Sequence, residues 1–409
     1  MDDLLKLSQM FLEQNNQEYV RKFIRENPFN TELSILLGQR GIGKTTSIVQ
    51  YMLGQYKGNL YSEKMLYLPA DHFAMKNRTL YEIAKDFYKF GGELLCIDEI
   101  HKYYDWSLEL KSIYDTFPKL KIIASGSSAL AIYKGSHDLS RRALRYYLPG
   151  LSFREYLEMT TQLQFSSFKL KDALEDHQKI AHDIIAKVES NGLKILPLFK
   201  DYLRVGFYPY SMRYQGREDK FNATLEQNLH TALENDLLAL HPSLSGISIK
   251  KIKQLLGYLI SHTPYKVELS KLKRALDIHH ERTLKNYLKY LEDAEIINAL
   301  CYEGKSLASF EKPEKIYLNN TNQIYALGGD QANIGSLRET FFMNALSQDY
   351  TVMYSEKGDF NVDGFIFEIG GKNKTYHQIK DLKKSYLAVD NEEKGTGNKI
   401  PLWLFGFLY

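Results

Sequence analysis

The run Gly38-Gln39-Arg40-Gly41-Ile42-Gly43-Lys44-Thr45 constrains this chain more than any other feature. It follows the apolar stretch Leu33–Leu37 and opens a stretch of helical periodicity, Thr45–Met52. The pattern G-x-x-x-x-G-K-[ST] is matched in full, in the strand–turn–helix context it requires. The glycines let the backbone curl so that successive N–H groups point inward at phosphate. The helix N-terminus adds its partial positive charge. Lys44 supplies a mobile point charge for the β- and γ-phosphates. The Thr45 hydroxyl is a ligand for Mg²⁺, and Thr46 is placed to meet the α-phosphate. Gly38, Gln39, Arg40, Gly41, Ile42, Gly43, Lys44, Thr45 and Thr46 are therefore the candidate nucleotide-binding residues, with ATP and Mg²⁺ as expected ligands.

The surrounding chain fits that site. Short apolar runs at Met65–Pro69, Leu94–Ile97, Leu120–Ala124 and Arg145–Leu148 alternate with helical stretches at Leu80–Phe90 and Asp105–Phe117. Such alternation predicts a parallel sheet with crossover helices. Residues 1–30 read as helix, closed by Pro28. Leu94-Leu95-Cys96-Ile97 runs into Asp98-Glu99, two acids at the C-terminal end of a buried strand, where open α/β sheets bind ligands. Asp98 is the second expected Mg²⁺ ligand. Glu99 is the candidate for polarising the attacking water. Ile122-Ile123-Ala124 ends in Ser125-Gly126-Ser127-Ser128, and Ser125 is the first candidate for sensing phosphate, with Ser127 second.

Composition excludes several other classes. The formal charge is +3, so any basic surface must be local. Two cysteines, Cys96 and Cys301, make neither a disulfide framework nor a four-ligand zinc site, and read as buried thiols suited to the cytosol. The acidic start MDDLLKLSQM lacks the pattern of a signal peptide, and no run of about 18 apolar residues is available to span a membrane. A cytoplasmic protein with no membrane partner is expected.

The second half is organised differently. Residues 151–240 are mostly helical in pattern. Three helices are expected at Ser248–Ser261, Ser270–Leu276 and Arg282–Ala294, then strands at Ile296–Tyr302 and Lys315–Leu318, the outline of a winged helix. From Lys250 to Lys289 there are ten Lys or Arg against three acids. Lys271, Lys273, Arg274, Arg282 and Lys285 are candidate contacts to duplex DNA, since phosphate neutralisation supplies most non-specific affinity. A protein-docking unit with a solvated basic face is the competing reading. A helix from Gly335 to Ser347 precedes strand-like runs at Tyr350–Ser355, Asp359–Val362, Phe365–Ile369, Tyr376–Ile379 and Leu402–Phe407. Asp363-Gly364 marks a two-residue hairpin. Glu339, Asp359 and Glu368 follow the pattern of a metal-dependent nuclease of the restriction-endonuclease type. The lysine expected two residues after Glu368 is Gly370, which leaves Lys372 as the displaced substitute. Gln378-Ile379-Lys380 with Asp363 is a weaker alignment. A degenerate nuclease site is expected.

Gly38–Thr46, Leu94–Lys102, Ser125–Leu130 and Leu148-Pro149-Gly150-Leu151-Ser152-Phe153-Arg154-Glu155-Tyr156 together resemble the prokaryotic AAA-type ATPases that carry a C-terminal domain of unknown function. The resemblance spans nearly the whole chain. It implies a P-loop sheet of AAA type with five strands, one of them inserted between the P-loop strand and the Asp98 strand. A helical and winged-helix region and a small α+β restriction-endonuclease-like domain would follow. It also implies an arginine shortly before the last core strand: Arg142 by position, with Arg141 behind it, although the glycine usual before that arginine is absent here. Four regions are expected: an ATP-binding domain at 1–150, a helical region at 151–245, a winged helix at 246–330 and a nuclease-like domain at 331–409. The function expected is an Mg²⁺-dependent ATPase whose nucleotide state moves the C-terminal domains. The alternatives are a slow ATP switch docking a protein or DNA partner, and an ATP-gated nuclease.

Overall fold

The computed structural model describes residues 1–26, 29–127, 139, 141–214, 216–308, 311–329 and 333–409. Pro28, Ser128–Leu130 and the expected boundary at 330/331 lie outside these residues. The described residues group into two compact units, Met1–Pro149 with Thr231–Leu244, and Gly150–His230 with Ser245–Tyr409. No described helix is long and apolar enough to cross a membrane.

The first unit is a five-stranded parallel sheet ordered β2-β3-β4-β1-β5. Its strands are β1 (Leu33–Gly38), β2 (Met65–Pro69), β3 (Leu94–Asp98), β4 (Lys121–Ser127) and β5 (Leu144–Tyr147). β4 is the strand that separates the glycine-rich turn from the Asp98 strand, in the order the resemblance implies. All residues of β1 and β3 are buried, which is why these strands read as unbroken apolar runs. The crossovers are α3 (Lys44–Gln55), α4 (Leu80–Lys89) and α5 (Trp106–Thr116). Thr79 and Glu82 start α4 with a reciprocal capping box. The N-terminal stretch forms two helices, α1 (Asp2–Asn15) and α2 (Lys22–Glu26), where one was expected.

The second unit begins with Gly150, where any side chain would collide with the Phe207 ring. Ser152 and Glu155 cap helix Phe153–Thr161 reciprocally. Arg154 is buried there, donating to Glu158 Oε1 (3.0 Å) and to the Tyr409 carbonyl (3.1 Å). The segment that carries the resemblance is thus a helix start packed on the C-terminal turn. A π-helical turn at Tyr202–Gly206 follows. Asn322 serves its backbone, donating to the Tyr202 and Leu203 carbonyls and accepting from Phe207 N–H.

Helices Gly246–His262, Leu269–Ala275 and Glu281–Asp293 then pack with a three-stranded antiparallel sheet. Its order is β6-β8-β7, from β6 (Tyr265–Lys266), β7 (Ile297–Leu300) and β8 (Lys315–Leu318). Helix Thr321–Gly328 was not expected. Helix Ile334–Leu346 lies against a mixed sheet ordered β13-β12-β11-β10-β9. These strands are β9 (Val352–Tyr354), β10 (Phe360–Val362), β11 (Phe365–Gly370), β12 (Ser385–Val389) and β13 (Lys399–Pro401). Asp363 (φ 50°) and Gly364 (φ 80°) make the hairpin between β10 and β11, both in the left-handed region such a turn requires.

Two strand expectations are corrected. Tyr376–Gln378 is a 3-10 turn, and Leu402–Phe407 is a 3-10 helix with every residue buried. An apolar run without alternation carries no period, so it does not distinguish a strand from a buried helical turn. The sheet is completed instead by β12 and β13.

Candidate functional site

The glycine-rich turn leaves β1 through Gly38 (φ 153°), Gly41 (φ 85°) and Gly43 (φ 94°). A Cβ at Gly38 would collide with the Ile42 side chain and the Leu148 carbonyl, so the turn is closed by both shape and φ. Arg21, buried and absent from the sequence expectations, ties the turn down: its Nη1 donates to the Pro149 carbonyl at 2.7 Å and to the Ile42 carbonyl at 3.3 Å. Lys44 is buried over the turn and donates to the Gly38 and Gln39 carbonyls at 3.0 and 2.9 Å. Gln39 and Ile42 are buried, while Arg40 reaches outward to Asp236.

Asp98 ends β3 and is gripped from two strands, a helix and the next backbone N–H. Thr45, in the first turn of α3, donates to its Oδ2 at 2.5 Å. Tyr67 on β2 donates to the same oxygen at 2.5 Å. Ser125 on β4 donates to Oδ1, as does the Glu99 backbone N–H at 3.1 Å. Thr45, Asp98 and Ser125, named separately from sequence, therefore meet at one carboxylate. Tyr67 was missed: a tyrosine inside an apolar strand reads as packing, and only the pairing of β2 with β3 brings it beside Asp98. Burial, and then the Asp98 charge, push the Tyr67 phenol far above its ordinary range, so it stays a donor. Hydroxyls and a carboxylate at this spacing are the hard oxygen ligands Mg²⁺ prefers.

Glu99 sits in the left-handed region at φ 54°, costly for a residue other than glycine and characteristic of sites held by their surroundings. Its Oε2 lies 3.5 Å from Lys102 Nζ and 3.7 Å from His101 Nε2. Thr46 is in α3 beside Thr45. Arg142 is not brought to this site within the chain. It precedes β5, whose Leu144 pairs with Ser34 at the start of β1, and it forms a two-pronged pair with Asp115 late in α5 (2.8 and 3.1 Å). That is the end of the strands opposite the turn.

The expected nuclease residues also meet, with a different lysine. Asp359 Oδ2 accepts from Ile369 N–H at 2.8 Å, and Glu339 Oε2 accepts from Tyr317 at 2.7 Å. Lys315 stands between them, 3.3 Å from Glu339 and 3.8 Å from Asp359. Among the described residues, the lysine paired with Glu368 is Lys374 (2.5 Å), not Lys372. Gly370 is what allows this, since a Cβ there would collide with the aliphatic carbons of Lys374. Burial, then the Asp359 charge, raise Glu339; burial raises Glu368 despite Lys374. Asp363 is exposed in the hairpin turn, which removes the second alignment.

Lys271, Lys273 and Arg274 lie on helix Leu269–Ala275, and Arg282 and Lys285 on the first turns of Glu281–Asp293. Lys273 and Arg274 line a surface pocket with His279, whereas Lys285 is paired with Glu281 at 2.9 Å.

Residues 30–157 match a family model described as an AAA domain, and residues 196–332 match a domain of unknown function, DUF8612. The uncharacterized protein MJ1637 of Methanocaldococcus jannaschii is 26% identical over a 426-residue alignment, covering 96% of this chain and 87% of that protein. Among solved structures, the Aeropyrum pernix ORC1 protein in complex with DNA overlaps 81% of this chain and 92% of its own, at 13% identity and a TM-score of 0.33. AMPPCP-bound DnaA from Aquifex aeolicus overlaps 66% and 86%, at 18% identity and a TM-score of 0.27. Superpositions at those scores carry no argument about what this chain binds. The family match and the strand order do carry one: the first unit is built on an AAA-type P-loop domain.

Proposed function

We propose that this protein is an Mg²⁺-dependent ATPase that couples ATP binding and hydrolysis to movement of its C-terminal regions. The observation that carries the reading is the convergence of Thr45, Asp98 and Ser125 beside the glycine turn. Lys44 exchanges its two loop carbonyls for the β- and γ-phosphates. Thr45 and Asp98 hold Mg²⁺, which screens phosphate charge when bound. Glu99 orients the attacking water, and Ser125 links the Asp98 carboxylate to the Glu99 backbone, whose N–H it accepts at 3.2 Å. Arg142, at the opposite end of the strands, has no step within its own chain. Steady-state phosphate release from MgATP, compared with Lys44→Ala and Glu99→Gln, tests the reading. Equal release by all three proteins would sink it.

A second reading concerns the region 246–330. Its three helices and its sheet order β6-β8-β7 support a winged helix. The pocket where Lys273, Arg274 and His279 outnumber the one acid, Asp277, supports contact with duplex phosphate. Duplex binding should be weak and fall steeply with salt. Full-length protein that shows no binding at low salt would leave protein docking as the role of this face.

A further inference from the structure

The nucleotide site has a contributor from far along the chain. Thr231–Leu244 groups with Met1–Pro149, although the chain on both sides of it belongs to the second unit. Leu240 anchors the segment in the apolar core of the first unit. Ala232–Asp236 forms a π-helical turn, followed by helix Leu237–Leu240. Such turns are rare and frequent at functional positions. Asp236 closes this one and is only 5% exposed. Its Oδ1 lies 3.4 Å from Arg40 Nη1, in the phosphate turn, and 3.5 Å from His101 Nε2. The His101 ring is wholly buried, and the same nitrogen lies 3.7 Å from Glu99 Oε2.

A buried carboxylate is costly unless it is paired. Burial alone would raise the Asp236 carboxyl. The neighbouring His101 imidazole, with the charges of Arg40 and Lys102, instead holds it below its ordinary range. Anchoring the segment would not by itself require these partners. Arg40 belongs to the phosphate turn, and His101 adjoins the residue assigned to water. Glu99 and Asp236 face the same imidazole nitrogen, so they compete for it.

We infer that Asp236 is a positioning residue of the ATP site: it takes up His101 and Arg40, and so keeps the His101 imidazole from closing on the Glu99 carboxylate that orients water. This rests on the reading of Glu99 given above. Without the Asp236 charge, the His101 N–H turns to Glu99, whose Oε2 lies 3.7 Å from the same nitrogen.

The test uses the full chain, steady-state phosphate release from MgATP and the affinity of a fluorescent ATP analogue. Asp236→Asn should lower kcat on the order of 100-fold, as a misplaced catalytic group does. KM and analogue affinity should stay within about threefold, because Lys44 and the backbone of the glycine turn are unaltered. Asp236→Glu, which keeps the charge, should recover most of the rate. Adding His101→Leu to Asp236→Asn should also raise kcat, because leucine has no N–H and removes the competing donor. A role in folding alone would not produce that recovery. Parental turnover by Asp236→Asn would overturn the inference. So would loss of analogue binding in that variant, or a double variant no faster than the single one. Glu99→Gln, run in parallel, separates the two readings. If it turns over normally, the assignment of Glu99 fails. If it is inactive while Asp236→Asn is normal, only the role of Asp236 fails.

Discussion

Asp98 in the first sheet and the acids Glu339, Asp359 and Glu368 around the mixed sheet have different partners. At the end of the first sheet, Asp98 is held by the hydroxyls of Thr45, Tyr67 and Ser125 and by a backbone N–H. All four donors are neutral, so none of them competes as a cation for Asp98. In the mixed sheet, Glu339 and Asp359 share Lys315, and Glu368 takes Lys374. There the chain's own ammonium groups already balance the acids. A cation entering that cluster would compete with those ammonium groups. What decides is whether the neighbours are dipoles that can be re-aimed or cations that compete.

The largest effect that sharpens this contrast is at Lys44. Lys44→Ala should remove ATP binding, since truncating a buried charged partner costs about 2–5 kcal/mol or more. Unchanged affinity for a labelled ATP analogue would break the assignment of the first site. Next in size, Glu99→Gln should retain ATP while turnover falls by a factor of about 10² to 10⁴, the usual worth of a positioned base. Single-turnover hydrolysis at the parental rate would remove Glu99 from the mechanism.

For the second cluster the expectation is silence. With Gly370 in the lysine position and Lys374 spent on Glu368, plasmid, linear and single-stranded DNA should survive incubation with Mg²⁺ or Mn²⁺, with or without ATP. Nicking that disappears in both Asp359→Ala and Lys374→Ala would erase the distinction between the two clusters.

The smallest effect is on stability against pH, and the two regions should respond with opposite sign. Asp236 is lowered in the folded protein, so its contribution is present above its unfolded pKa and lost as pH falls. Glu339 is raised, so its contribution is present below its unfolded pKa and lost as pH rises. In urea unfolding followed from acid to neutral pH, Asp236→Asn should lose ground to the parent as pH rises, while Glu339→Gln should gain. Parallel shifts in both variants would contradict this.

Much of the first region was legible because its chemistry is local. The glycine turn, Lys44 and Thr45 are contiguous, and their function depends on backbone φ and a helix start. Asp98 and Ser125 were readable because each ends a buried strand, and parallel strands bring their C-terminal ends together. Tyr67 and Arg21 were not readable. One looks like core and the other like a surface cation until pairing and burial place them.

The sequence by itself determined the phosphate turn, the alternation that makes a parallel sheet, the hairpin at Asp363-Gly364 and the identity of the acids. These follow from short-range rules: period, φ preference and residue chemistry. Only the tertiary structure decided that Lys374 rather than Lys372 meets Glu368, that Arg142 faces away from its own chain's site, and that Asp236 joins Arg40 and His101. Each depends on which segments come together after folding. Partner choice across such separations is set by packing and by the cost of leaving a buried charge unpaired, and neither is written in the spacing of residues.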